Sequence, residues 1–402
     1  MVAGSSQAKG TLAGVRVVEL ATLIAGPMIG MFLSDYGAEV IKVENPVGGD
    51  GLRQWGNLKQ GVSLHHKLVN RNKCSVTADL RTPIGAETLR RLATSADVVI
   101  ENFRPGTLES WGLGYDSLAA INPRLILVRV TGFGQEGPYR DRRGFGTLAE
   151  AMTGYAYASG FPDKPPLVSS FPLADATTGL AGAFLTLAAL RAREHSGRGQ
   201  VVDLAIYEAL LTILGSQIID YDQLGLIQER DGNRFPVVTP RGVFRTRDGK
   251  WVAVSAGVQP VFEGLCRALN VPELANDPRY ADNPKRRENV EALEGALQHA
   301  FERIDQSEIL RRLEACGAAA APVCDVQDVV ADAHLRARES IVSKWDPELS
   351  CKLRMQNVIG RLSGTPGDIQ HPGRALGADN RAILADELGF SLVELKAAGL
   401  PL

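Results

Sequence analysis

Cysteine is scarce in this chain of 402 residues, with five in all (Cys74, Cys266, Cys316, Cys324 and Cys351), none in a CxxC pair. An odd, widely spaced set excludes a disulfide framework and fits free thiols in a reducing, cytoplasmic compartment. The six histidines (His65, His66, His195, His299, His334, His371) show no metal-ligand spacing, so no metal site is expected. Charge of one sign is lacking too. A net charge of −2 excludes a global pull toward nucleic acid or acidic membrane, so any anion must be held by a local basic cluster. No apolar run approaches the roughly 20 residues of a membrane span, and residues 1–10 (MVAGSSQAKG) lack the apolar core of a signal peptide. Also missing are a GxGxxG fingerprint, a Walker loop and a GxSxG elbow, which argues against plain nucleotide binding and serine hydrolysis.

What is present is a repeated strand–loop–helix–strand pattern. Residues 15–20 (VRVVEL) read as a strand, 21–27 (ATLIAGP) as a loop, 28–36 as a helix stopped by Gly37, and 39–43 (EVIKV) as a second strand. A helix over 84–96, strands over 97–101 and 125–130, a helix over 175–193 rich in Ala, Gly and Leu, and a strand over 200–204 continue it. The pattern is that of a parallel sheet with crossover helices. A helix from Tyr207 to about Leu226 leaves this domain. Two β-type runs then flank Asp248–Gly249, a hairpin signal, and amphipathic helices follow near 260–270, 287–303 and 307–316. The reading is an α/β chain: a large domain over 1–225, a smaller α+β domain over 226–325, and a segment over 326–402 that returns to the large domain.

Ligands of open α/β sheets sit outside the carboxyl ends of the strands. Four loops follow strands there: 21–27, 45–51, 102–106 and 131–138. Basic residues cluster near them, at Arg53, Lys67, Arg71, Lys73, Arg81, Arg104, Arg140, Arg142 and Arg143. The run Asn70–Lys73 (NRNK) is placed to hold phosphate oxygens at a strand edge. Asp175 stands directly before the small-residue helix. Two readings apply to it: an ordinary helix N-cap, or a carboxylate kept ionised near a helix N-terminus and used as a nucleophile.

Several long motifs resemble, in order, those of the class III coenzyme A-transferases: LAGVRVVELATLIAGP (12–27), DYGAEVIKVENPVGGD (35–50), NRNKCSV (70–76), VIENFRPGTLESWGLGY (99–115), NPRLILVRVTGFGQEGP (122–138), PLADATTGLAGAF (172–184) and SGRGQVVDLAIYEA (196–209). The resemblance covers nearly the whole chain. It implies a Rossmann-like large domain with a smaller domain, in a homodimer of interlocked rings. It implies Asp175 as the catalytic residue, and acyl-CoA and a free carboxylic acid as substrates, with no tightly bound cofactor. By position, Ile24, Ala25, Ala78, Arg81, Asn102, Phe103, Arg104, Arg143 and Phe145 would line the CoA site. Asn45 and Ser110 stand where relatives often carry Arg, and Gly146 replaces an acidic residue of the oxalate-using members. Those members' glycine-rich loop is not evident at 237–242 (VVTPRG), so oxalate specificity is not expected. Arg241, Tyr155 and Tyr157 are candidates to face the acyl group, where a cation would suit a dicarboxylate such as succinate. The 2-methylacyl-CoA racemases share the fold but need a histidine where this chain reads Gly144–Phe145–Gly146. A non-catalytic acyl-CoA binding protein is the remaining alternative.

Overall fold

The computed structural model describes residues 10–400. Six parallel strands form one sheet: β1 (Arg16–Glu19), β2 (Glu39–Glu44), β3 (Lys73–Thr77), β4 (Val98–Glu101), β5 (Ile126–Thr131) and β6 (Val201–Ala205), in the order β3-β2-β1-β4-β5-β6. That order is the doubly wound, Rossmann-like one. Val18 of β1 pairs with Ile41 on one side and Val99 on the other. Parallel strands bury both faces, and alternate residues divide between two cores. Val18, Ile41, Val99 and Leu127 meet Leu89 and Leu92, whereas Val17, Val40, Val98 and Val128 meet Ile29 and Leu33.

Helix α1 (Ala25–Asp35) supplies Ile29 and Leu33, and α2 (Pro83–Ala93) supplies Leu89 and Leu92. The sequence reading began the first of these at Met28. It begins at Ala25 instead, because Pro27 falls in the first turn, where its missing N–H leaves no hydrogen bond unmade. Two further helices border the same side of the sheet, α3 (Gly146–Met152) and α4 (Leu173–Ser196). A β-carbon on Gly179 of α4 would lie 2.5 Å from Met28 Cβ, and one on Gly182 would lie 2.3 Å from Ile29 Cδ1. The small residues of α4 therefore let it lie against α1. By length and composition α4 is apolar enough to cross a membrane, which corrects the expectation that no such run exists. Its alanines and glycines hid this from inspection, and in the fold its small-residue face is buried on α1.

The single helix expected over 207–226 is two, Ile206–Thr212 and Gln217–Leu224. Gly215 between them has a φ of +75°, a left-handed turn that ends a helix. The tail holds an unforeseen antiparallel hairpin, Ile341–Asp346 with Cys351–Gln356.

The chain divides into two compact units. The larger takes residues up to Tyr155, Val168–Gln217 and Arg336 onward. Asp379 and Asn380 accept hydrogen bonds from the β3 amides of Ser75 (2.8 Å) and Thr77 (2.7 Å). The smaller takes Ala156–Leu167 and Ile218–Leu335; the first of these segments is one that the sequence reading left in the large domain. Within the small unit, strands Arg241–Arg245, Trp251–Ser255 and Ala320–Pro322 form an antiparallel sheet. Its core centres on Phe262, Leu265 and Leu297, with Phe244 and Phe301 stacked at 5.0 Å.

Candidate active site

The chain leaving β1 enters α1 on one face of the sheet, while the chain leaving β4 packs Leu108 and Leu118 on the other face. Adjacent strands whose connections diverge open a crevice at their carboxyl ends. A cavity of about 420 Å³ lies there, lined by the turns after β1, β4 and β5, by Arg140 and Arg142–Phe145 and by Asp175. Close backbone approach shapes one wall: a β-carbon on Gly132 would lie 2.4 Å from Gly144 Cα.

Asp175 is the third residue of α4, whose N-cap is Pro172, so the N-cap reading does not hold. Its carboxylate is half-buried and accepts no hydrogen bond from any described residue. Loss of water, with the nearby negative Glu150 adding to it, raises its pKa to about 6. The first-turn position of α4 opposes that rise, since a helix N-terminus favours an anion. Gly146, the first residue of α3, is what makes room for the carboxylate: a β-carbon there would sit 2.5 Å from Asp175 Oδ2. Any larger residue at this position would push the Asp175 carboxylate from its present place. Glu150 is buried on α3 and accepts the Ser169 amide at 2.7 Å, which ties the approach to α4 in place.

The turn after β1 is held from outside. Asn102 clamps Thr22 at both ends, accepting from its N–H at 2.9 Å and donating to its carbonyl at 2.7 Å. Asp50 Oδ1 accepts from the Leu23 N–H at 2.9 Å. Lys42 Nζ donates to the Ala21 carbonyl at 2.8 Å and pairs with Asp50 Oδ2 at 2.8 Å and Glu19 Oε1 at 3.0 Å. Leu23 itself sits at a φ of +66°, which for a non-glycine residue costs roughly 1–2 kcal/mol.

Eight of the ten expected site residues line this one cavity: Asp175, Ile24, Ala25, Asn102, Phe103, Arg104, Arg143 and Phe145. Ala78 lines a separate cavity of about 210 Å³ beside Asp79, and Arg81 is exposed and paired with Asp79 at 2.8 Å. Arg104, Arg140, Arg142 and Arg143 bring positive charge to the rim. Arg104 is held by the Asp141 carbonyl at 2.8 Å and Arg142 lies 3.6 Å over the Tyr139 ring. Arg143 forms no ion pair among the described residues, which leaves its charge available to an anion.

The remaining basic residues of the sequence cluster serve the fold. Arg53 pairs with Glu44, Lys67 with Asp346, Arg71 with Asp35 and Lys73 with Glu19, all within 2.8 Å. Asn70, Arg71 and Lys73 are buried, so the NRNK run turns inward to acidic partners and offers nothing to a phosphate. Asn45 and Ser110 close local turns, through the Val47 amide at 2.8 Å and the Thr107 carbonyl at 2.7 Å. Arg241 belongs to the small unit, where it lines a cavity of about 360 Å³ and donates to the Asn233 carbonyl at 3.2 Å. Tyr157 is bonded to Glu229 at 2.8 Å, and Tyr155 to Ser169 at 2.9 Å.

Lys42 and Asp50 were missed as site residues. A lysine inside the apolar strand run 39–43 was the available signal, because a buried lysine requires a carboxylate partner. Among the described residues no cluster of His, Cys, Asp or Glu is arranged to hold a metal, and no histidine lines the cavity. A carboxylate free of partners, facing a cavity rimmed by arginines, is equipped to act as a nucleophile or base toward an anionic substrate.

A family model for CoA-transferase family III matches residues 12–380. The succinyl-CoA–D-citramalate CoA-transferase of Chloroflexus aurantiacus is 43% identical over 378 residues, 94% of each chain. The beta subunit of that organism's succinyl-CoA–L-malate CoA-transferase is 42% identical, again over 94% of each chain. The crystal structure of a CaiB/BaiF family protein from Brucella suis, 35% identical, superposes with a TM-score of 0.84 over 94% of this chain and 99% of that one. With a family match over this span and relatives at these identities, the chain belongs to the class III CoA-transferases.

Proposed function

We propose that this protein moves coenzyme A from succinyl-CoA to a free carboxylic acid through covalent intermediates on Asp175. The partner-free carboxylate of Asp175 on the wall of an arginine-rimmed cavity carries the proposal. The carboxylate attacks the thioester carbonyl, the C–S bond breaks, and CoA thiolate leaves an aspartyl–succinyl anhydride. The thiolate then attacks the aspartyl carbonyl, giving an aspartyl-CoA thioester and releasing succinate. An acceptor carboxylate displaces the thiolate from that thioester to form a second anhydride. Attack of the thiolate on the acceptor carbonyl releases the new acyl-CoA and restores Asp175. One thioester replaces another, so the sequence needs no external energy source. The two Chloroflexus relatives are named for succinyl-CoA as donor and for hydroxylated dicarboxylates as acceptors, which supports that class of acceptor here.

Racemisation is the weaker reading. It asks for two bases facing the carbon next to the thioester, and among the described residues the only carboxylate lining the cavity is Asp175, with no histidine beside it. A homodimer is supported by Leu180, Phe184 and Leu187, which lie along one face of α4 and are exposed.

The test is exchange of isotope-labelled succinate into succinyl-CoA, which needs no knowledge of the acceptor. Wild-type protein should catalyse it, Asp175→Ala should not while still binding CoA, and hydroxylamine should trap a modified Asp175 by mass spectrometry. Undiminished exchange in Asp175→Ala would remove the carboxylate from the mechanism, and a merely acyl-CoA-binding protein would show no exchange at all.

A further inference from the structure

Leu23 is a leucine in the left-handed backbone region, with a φ of +66°, on the wall of the candidate active site. L-residues other than Gly, Asn and Asp rarely adopt this conformation, and it persists only where the surroundings over-determine it. Here the surroundings do so through three side chains from outside the turn. Lys42 of β2 holds the Ala21 carbonyl, Asn102 holds both polar groups of Thr22, and Asp50 holds the Leu23 N–H. Lys42 and Asp50 are fully buried and paired with one another, so this clamp cannot swing away into solvent.

We infer that Asn102, Asp50 and Lys42 are positioning residues that hold Ala21–Leu23 in a strained shape, so that Leu23, Ile24 and Ala25 meet the acyl-CoA without rearranging. Asn102 in particular acts through the Thr22 backbone, to which both its carbonyl oxygen and its amino group are bonded. The inference rests on the proposed use of this cavity for acyl-CoA. A turn already in its bound shape avoids an ordering cost at binding, whereas Asp175 is carried on a different element, α4. Releasing the turn therefore weakens acyl-CoA binding and leaves the chemical step in place.

Succinyl-CoA/succinate exchange separates the possibilities. Asn102→Leu removes both hydrogen bonds while keeping the same branching and number of heavy atoms, and Leu23→Val keeps an apolar side chain that the left-handed region tolerates poorly. Each single variant should raise KM for succinyl-CoA roughly tenfold or more, with kcat and the KM for succinate within about twofold of wild type. The double variant should be no worse than either single, because both changes release the same turn. Multiplied effects in the double variant would show that Asn102 and Leu23 do not act through one released turn, and overturn the inference. So would an unchanged KM in Asn102→Leu while wild-type protein exchanges normally. Absence of exchange and of CoA binding in wild type is a different result: it overturns the functional reading, and this inference with it.

Discussion

Burial raises the Asp175 pKa to about 6, while nucleophilic attack requires the ionised form. The exchange rate should therefore fall as pH drops through about 6. Stability should run the other way. An acid whose pKa is higher in the folded than in the unfolded state contributes stability in its protonated form. That contribution is complete below the unfolded value, near 3.8, and is lost as pH rises through about 6. Asp175→Asn should accordingly melt at a higher temperature than wild type near about pH 7.5, with the gap closing toward about pH 4. Calorimetry across that range checks it, and equal melting temperatures at the upper end would rule out a carboxylate under desolvation. The same residue shows how far local sequence reaches. Asp before a helix reads first as a cap and only second as a nucleophile, and its place within the first turn of α4, facing Gly146, is what rules out the cap.

The pairing of α1 with α4 carries the site, because one helix begins in the turn after β1 and the other presents Asp175. Gly182 is the tight point, with no space for a β-carbon against Ile29. Gly182→Val should destabilise the protein by about 2–3 kcal/mol in urea unfolding, since the Ile29 and Leu204 side chains would have to give way. A change below about 0.5 kcal/mol would mean that the helices pack less closely than this. The elements of the sheet were legible because their apolar runs are buried on both faces, as parallel strands require. The NRNK run was misread for the opposite reason. Its charges look like a ligand site in one dimension, but Asp35 and Glu19 reach them only after β1, β2 and β3 have come side by side.

For the molecule as a whole, the exposed apolar face of α4 should mark contact between copies. Phe184 is 69% exposed, with Leu180 and Leu187 beside it at 44% and 43%, an apolar grouping of the kind that marks contact sites when contiguous. In the proposed dimer, Phe184→Asp should sediment as a monomer where wild type sediments as a dimer, and an unchanged distribution would place the interface elsewhere. The sequence by itself determined the α/β class and the loops at the strand ends, and singled out Asp175 as a candidate, because apolar periodicity and long ordered motifs are local properties of the chain. Which cations face the cavity and which are spent inside the fold was decided only by the tertiary structure, as was the clamp of Asn102, Asp50 and Lys42 on a strained turn. Those pairings join residues as far apart as Thr22 and Asn102, or Lys67 and Asp346, and no local pattern records a contact that exists only once the fold has brought its partners together.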